Sequence, residues 1–143
     1  MIAIGCDHGG YELKKILEKH LDEKGISYRD LGCDSTDSVD YPEYGHAVAK
    51  AVADGSCEKG IVICSTGIGI SIAANKVPGI RAALCTDTVM ARLTREHNDA
   101  NVLALGAYIV GPHLAEEITD TFLSTEFSGQ ERHARRVGKI EDV

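Results

Sequence analysis

The sequence predicts an α/β protein built on a doubly wound parallel sheet. Short apolar runs alternate with segments of helical spacing along the whole chain, which is the pattern of strands joined by crossover helices. The hydrophobic content of 43% without any tryptophan is typical of helices packed closely on a sheet. The length of 143 residues is that of one domain, so we expect residues 1–143 to form a single domain.

Five apolar runs predict the strands, at residues 2–6, 26–31, 60–64, 81–85 and 101–105. Right-handed crossovers between consecutive strands make the expected sheet parallel, with helices on both faces. The carboxyl ends of parallel strands meet at one edge of a sheet, where α/β proteins bind their ligands. We therefore expect the residues that follow the strands to form the functional site.

Helical spacing predicts the helices that cover this sheet. Five follow the strands, at residues 13–25, 42–54, 70–75, 88–96 and 114–122, and a C-terminal helical tail starts near residue 130. The first has Leu13, Ile16, Leu17 and Leu21 on its apolar face. Leu114, Ile118 and Phe122 mark the apolar face of the fifth, and Asp87 is a favourable N-cap for the fourth.

The central feature of the chain is residues 60–76, GIVICSTGIGISIAANK, in which a strand, a glycine-rich turn and a helix follow one another. Such a unit binds anions, because backbone amides converge at the start of the helix. Cys64 is either a buried core cysteine or a reactive cysteine whose thiolate form the neighbouring amides and helix start favour. The turn matches neither the Walker A loop nor the dinucleotide fingerprint, so a nucleotide cofactor is disfavoured.

Other polar residues have two interpretations each. Asp7 and His8 follow the first strand and either cap the next helix or act at the ligand edge. His97 is either a polar stop after the fourth helix or an acid–base group close to the same edge. Arg132 and Arg136 share one helical face, which is either a solvated basic surface or an anion site that reaches a neighbouring subunit.

Composition disfavours several classes of function. The formal charge of −7 argues against a binder of nucleic acid or of anionic membranes. The five cysteines have no disulfide-framework or zinc spacing, and HxxxH and HExxH are absent, so we expect no metal. The chain begins without a signal peptide and lacks a membrane-spanning run, which indicates a cytoplasmic protein.

Several long motifs carry a resemblance to a known family. They are GCDHGG from Gly5, DYP from Asp40, ICSTGIGISIAANK from Ile63, GIRA from Gly79, REHND from Arg95, and Arg132-His133. In this order, and over nearly the whole chain, they resemble ribose-5-phosphate isomerase type B. The wider family includes the galactose-6-phosphate isomerase subunits.

The resemblance implies a Rossmann-like fold and an aldose–ketose isomerase without a cofactor. Such an enzyme interconverts ribose 5-phosphate and ribulose 5-phosphate through an enediolate. The resemblance also implies a homodimer with active sites shared between subunits, with a tetramer as the larger alternative.

The resemblance assigns roles to individual residues. Cys64 is the general base, Thr66 hydrogen-bonds near the reacting oxygens, and either Asp7 or His97 opens the furanose ring. The substrate-binding residues are Tyr41 and Asn98 for the sugar, Ser65, Gly67, Ile68 and Gly69 at the enediolate oxygen, and His8, Arg132 and Arg136 for the phosphate.

Alternative functions remain at this stage. Ser65 stands where many members of the family have glycine, and Tyr108 stands where members often carry arginine. The closest alternative is therefore an isomerase of a six-carbon sugar phosphate, such as allose or galactose 6-phosphate. An isomerase of a rare free sugar is another alternative. A non-catalytic anion-binding module is a further alternative. A thiol redox protein is disfavoured, because no resolving cysteine lies close to Cys64 in sequence.

Overall fold

The computed structural model describes all 143 residues and contains one parallel sheet of five strands. The strands are β1 (Ile2–Cys6), β2 (Tyr28–Asp30), β3 (Lys59–Cys64), β4 (Ala82–Leu84) and β5 (Val102–Gly106). Their order across the sheet is β2-β1-β3-β5-β4, and every neighbouring pair is parallel. The predicted doubly wound parallel sheet is therefore confirmed.

The two edge strands are shorter than the sequence predicts, with three residues each. The three central strands β1, β3 and β5 are almost entirely buried, whereas β2 and β4 are partly exposed. An edge strand has a hydrogen-bonding neighbour on one side only, so its regular pairing ends sooner than its apolar run does.

The chain forms six α-helices, as predicted, of which the first five pack around the sheet and the sixth packs against the fourth. They are α1 (Tyr11–Glu23), α2 (Tyr41–Ala53), α3 (Ile68–Asn75), α4 (Thr88–Asn98), α5 (Pro112–Ser124) and α6 (Glu131–Glu141), and a 3₁₀ turn, His8–Gly10, precedes α1. Asp87 caps α4 by accepting a hydrogen bond from the Met90 amide at 2.8 Å. The helix α4 continues two residues beyond the predicted end and stops at Asp99, whose φ of 47° is left-handed.

Alternating residues of the strands pack against two layers of helices. Ile61 and Ile63 of β3 belong to a core shared with α1, α4 and α5. Val62 and Cys64 face the opposite side and pack in a second core with α2 and α3. The carboxyl end of β3 thus delivers Cys64 to the layer that contains α3.

Two of the predicted apolar helix faces each include one residue that is exposed in the structure. Ile16 is 37% exposed and Leu114 is 36% exposed, because each lies at the margin of its helix's buried stripe. Lys14 is completely buried instead, and its ammonium donates to Asp30 Oδ1 at 2.6 Å and to the Cys33 carbonyl at 2.7 Å. A buried charge with two acceptors replaces part of the expected apolar contact.

None of the helices is both long enough and apolar enough to cross a bilayer.

Candidate active site

The carboxyl ends of β1, β3 and β5 bring their following loops together, as the sequence predicts. The Asp7 amide donates to the Ile63 carbonyl at 3.2 Å, and the Ala107 and Tyr108 amides each donate at 2.9 Å, to the carbonyls of Cys64 and Ser65. These bonds fix the loops after three strands to one another. They form the floor of a site around Cys64.

Cys64 is the last residue of β3 and is 5% exposed. Its Sγ accepts a hydrogen bond from the Gly67 amide at 3.1 Å, at the start of α3. An amide donor and the positive end of a helix both stabilise a negative charge on sulfur. The position places a buried thiol against an amide donor at the start of a helix.

The turn after Cys64 depends on glycine at position 67. Gly67 has a φ of 77°, and a Cβ there would lie 2.6 Å from Leu84 Cδ1 and 2.8 Å from the Leu105 carbonyl carbon. Thr66 Oγ1 accepts from the Ile68 amide at 3.2 Å, which leaves the Thr66 hydroxyl hydrogen free to donate outward. The tight turn therefore keeps the start of α3 directly beside the thiol.

Two amides at the start of α3 have no acceptor within the chain. Gly67 and Ile68 donate to the side chains of Cys64 and Thr66, and Ser71 donates to the Gly67 carbonyl. The amides of Gly69 and Ile70 lie between them and are unpaired. Such amides are the donors that bind an oxyanion at a helix N-terminus.

Asp7 and His8 lie on the neighbouring loop. Asp7 is buried, and its Oδ1 accepts from the amides of Gly9 and Gly10 at 2.9 and 3.2 Å, so its capping role is confirmed for the 3₁₀ turn. His8 Nδ1 accepts from the Val39 amide at 3.1 Å. An accepting Nδ1 places the proton of the neutral ring on Nε2, which is then available to donate to a ligand.

Tyr41 and Ser65 lie at the rim of the same site. A Cβ on Gly69 would lie 2.7 Å from Tyr41 Cζ, so the phenol ring covers the start of α3. Ser65 Oγ lies so close to Gly9 that a side chain there would overlap it. The carboxyl edge thus unites the residues predicted from the first half of the chain.

The expectation that His97 lies close to this edge is wrong. The helix α4 begins after the carboxyl end of β4 and runs back across the sheet, so His97 and Asn98 lie near the amino end of β5. Arg81, just before β4, donates from Nε to the Asn98 carbonyl at 2.9 Å. The sheet separates these residues from Cys64 by about 15 Å, the rise of a five-residue strand.

Arg132 and Arg136 lie on the same side of the molecule as His97 and Asn98, and the four residues form a second group of predicted site residues. They are exposed on α6, which packs against α4, and the intervening His133 is buried. The ring centroids of His97 and His133 are 4.3 Å apart. Burial and the nearby cationic and imidazole groups of α4 and α6 lower the pKa of His133, which favours its neutral form.

One chain therefore carries two groups of predicted site residues at opposite edges of its sheet. The sequence pattern could not reveal this separation, since it required the length and direction of α4. Sequence analysis also gave no role to Arg81, although the GIRA motif places an arginine at the start of an otherwise apolar edge strand. No group of three or more His, Cys, Asp or Glu side chains is arranged to hold a metal ion.

Comparison with known proteins identifies the family. The model of the Ribose/Galactose Isomerase family matches residues 2–140, so the chain belongs to that family. The ribose-5-phosphate isomerase B of Escherichia coli is 50% identical over 142 residues, which cover 99% of this chain and 95% of that protein.

Solved structures give the same relationship. The structure of Clostridium thermocellum ribose-5-phosphate isomerase B superimposes with a TM-score of 0.97 at 59% identity, covering 99% of this chain and 95% of that one. The ribose 5-phosphate isomerase of Thermotoga maritima superimposes with a TM-score of 0.97 at 49% identity, covering 99% and 97%. The similarity extends over both groups of site residues.

Proposed function

We propose that this protein interconverts ribose 5-phosphate and ribulose 5-phosphate without a cofactor, using Cys64 as the general base. The observation that carries the proposal is the Cys64 thiol beside the unpaired amides of Gly69 and Ile70, in a chain of this family. A thiolate can take a proton from carbon, and unpaired amides can hold the oxygen that becomes negative.

The proposed reaction starts from the open-chain aldose. The Cys64 thiolate removes the proton from C2, the electron pair of that bond forms a C1–C2 double bond, and the aldehyde oxygen becomes an oxyanion. The amides of Gly69 and Ile70 stabilise this enediolate, with the Thr66 hydroxyl as a further donor. The proton of the C2 hydroxyl moves to the oxyanion on C1, which transfers the negative charge to the C2 oxygen. The Cys64 thiol then returns its proton to C1 as the C2 oxygen forms the ketone, so Cys64 is a thiolate again and the net change is an isomerisation.

Ring opening needs a group that transfers a proton between the anomeric hydroxyl and the ring oxygen. We assign it to His97, since Asp7 Oδ1 is already engaged by two backbone amides as a cap. Asn98 and Tyr41 would hold the sugar hydroxyls. His8 Nε2 and the guanidinium groups of Arg132 and Arg136 would bind the phosphate by charge-assisted hydrogen bonds.

These assignments require two copies of the chain. His97, Asn98, Arg132 and Arg136 lie at the opposite sheet edge from Cys64, so a second copy has to supply them. A two-fold axis pairs the same surface of both copies in opposite directions. Packing beside β4 would bring the amino end of one β4, with its neighbouring His97, to the carboxyl end of the other.

The surface around β4 supports this arrangement. The strand is partly exposed, and exposed apolar side chains lie on the helices before and after it: Ile68 and Ile72 on α3, and Val89 and Met90 on α4. A groove of about 840 Å³ lies at the same side, lined by Arg81, Asn98 and Ile140 among others. Several large apolar side chains exposed beside an open edge strand are typical of a subunit interface. We therefore propose a homodimer with two shared sites.

The free thiols support a reducing compartment for the enzyme. All five cysteines are free and buried, and the proposed base is one of them. A catalytic thiol needs reducing conditions, so we propose that the enzyme works in the cytoplasm.

The test of this function is a coupled assay of ribose 5-phosphate against allose 6-phosphate and galactose 6-phosphate. We expect the highest kcat/KM on ribose 5-phosphate. A higher kcat/KM on a six-carbon sugar phosphate would change the assigned substrate but not the assigned type of reaction. Binding of sugar phosphates without turnover of any of them would contradict the proposal and favour a non-catalytic binding module.

A further inference from the structure

Arg81 joins three elements near the amino edge of the sheet. It precedes β4, and its Nε donates to the carbonyls of Asn98 and Asp99 at 2.9 and 3.2 Å, at the end of α4. Its Nη2 donates to the Asp99 carbonyl at 2.9 Å, and its Nη1 donates to Glu141 Oε1 at 2.7 Å, at the end of α6. The carboxyl ends of two helices thus converge on one guanidinium, where a cation is favourable.

The helix α6 has few other attachments to the protein. Its residues are exposed apart from His133 and the half-buried Val137. Within the helix, Arg135 pairs with Glu131, and His133 Nδ1 lies 2.7 Å from Ser128 Oγ just before the helix. The pair between Arg81 and Glu141 is the only ion pair that connects α6 to the rest of the chain.

The two arginines that we propose for the phosphate differ in their position relative to these attachments. Arg132 is next to the buried His133, whose packing fixes it directly. Arg136 lies one turn further on, between His133 and Glu141. The helix is about 16 Å long, and an unsupported helix end frays. The direction of Arg136 therefore depends on the contact at Glu141.

We propose that Arg81 and Glu141 are positioning residues that hold Arg136 for the substrate phosphate in the site of the second copy. This inference rests on the proposed function and adds two residues to it. Neither residue touches the substrate. They act by fixing the carboxyl half of α6 to the end of α4, which carries His97 and Asn98.

The variant Glu141→Ala tests the proposal. We expect the KM for ribose 5-phosphate and the Kd for inorganic phosphate each to rise about threefold or more, the scale of a partly exposed ion pair, with kcat nearly unchanged. Removal of a negative charge would by itself strengthen anion binding, so a weakened affinity has the opposite sign from a simple charge effect. Glu131→Ala is the matched control, because it removes the same charge from α6 without detaching the helix, and it should leave the KM equal to or below that of the wild type.

A second comparison separates positioning from a general structural role. In an Arg136→Ala background, Glu141→Ala should change the phosphate Kd little further, since the group that it positions is already gone. Phosphate Kd is measured by calorimetry, and sedimentation velocity gives the oligomeric state. Unchanged KM and Kd, full additivity with Arg136→Ala, a lower kcat at constant KM, or dissociation of the dimer would each overturn the proposal. Absence of turnover in the wild type would instead count against the proposed reaction, because the phosphate titration does not depend on turnover.

Discussion

Cys64 has the surroundings of a reactive thiol, with an amide donor at 3.1 Å and the start of α3 beside it. We predict that Cys64→Ala lowers kcat by about a hundredfold or more and leaves KM nearly unchanged, because the base acts on the bound substrate. Steady-state kinetics with ribose 5-phosphate measure this. Cys57→Ala, which removes another buried thiol before β3, should retain wild-type kcat. Equal losses in both variants would mean that Cys64 serves packing alone.

The Ser65 side chain fills the space next to Gly9 in the site. A Cβ on Gly9 would overlap Ser65 Oγ and lie 3.3 Å from the Ser65 amide. We predict that Gly9→Ala lowers kcat/KM by about tenfold, by displacing the Cys64 turn by a fraction of an ångström. The double variant Gly9→Ala/Ser65→Gly should recover most of this loss. Additive effects of the two substitutions would show that the two positions are not coupled.

The residues of the carboxyl edge could be predicted from sequence because each follows a recognisable strand. Cys64, Asp7 and His8 required only the run of apolar residues before them. His97 was assigned to the wrong edge, because the motif that contains it does not show how far α4 runs. Its contact with His133 depends on the packing of α6 against α4, and the sequence pattern contains no signal for that.

At the scale of elements, Lys14 fixes α1 to the end of β2. Its ammonium is fully buried between the Asp30 carboxylate and the Cys33 carbonyl. We predict that Lys14→Met lowers the free energy of unfolding by about 3 kcal/mol, since it leaves the Cys33 carbonyl without the ammonium donor and removes the nearest cation from the Asp30 carboxylate. Denaturant titration measures this. Lys19→Met removes an exposed lysine of the same helix that makes no ion pair, and it should cost less than about 1 kcal/mol. A small effect at Lys14 would mean that water replaces the ammonium.

The helix α3 has an exposed apolar side that we assign to the subunit interface. Ile72 is 57% exposed on it, and Ile68 is 52% exposed one turn before. We predict that Ile72→Asp dissociates the dimer at micromolar concentration, because burial of a carboxylate in an apolar contact is unfavourable. Sedimentation velocity provides the measurement. Ile16→Asp, at the partly exposed margin of α1, should leave the dimer intact, and a monomeric wild type would refute the assignment.

The elements themselves were predictable to different degrees. The central strands follow from continuous hydrophobic runs, because both of their faces are buried, and α1 to α5 follow from the helical spacing of their apolar residues. The edge strands β2 and β4 were predicted too long, since their apolar residues continue beyond the paired segment. The burial of Lys14 could not be predicted, because its two acceptors belong to β2 and to the loop that follows it.

At the scale of the whole molecule, the topology separates the chemistry of the proposed reaction into two halves. Cys64 and the unpaired amides lie at one edge of the sheet, and His97, Asn98 and the arginines of α6 lie towards the other. The family resemblance implied sites shared between subunits, but the sequence did not show which residues lie at which edge, because that depends on the direction of α4 across the sheet. A second copy is the simplest way to bring the halves together.

The most direct test of the shared site is complementation between two inactive subunits. Cys64→Ala and His97→Asn subunits are co-expressed with different tags, and the mixed dimer is purified through both. One of its two sites then combines an intact Cys64 with the partner's intact His97, so the mixed dimer should have about half of the wild-type kcat. Both parent homodimers should be nearly inactive. A mixed dimer as inactive as its parents would contradict the account, because it would mean that each site is complete within one chain.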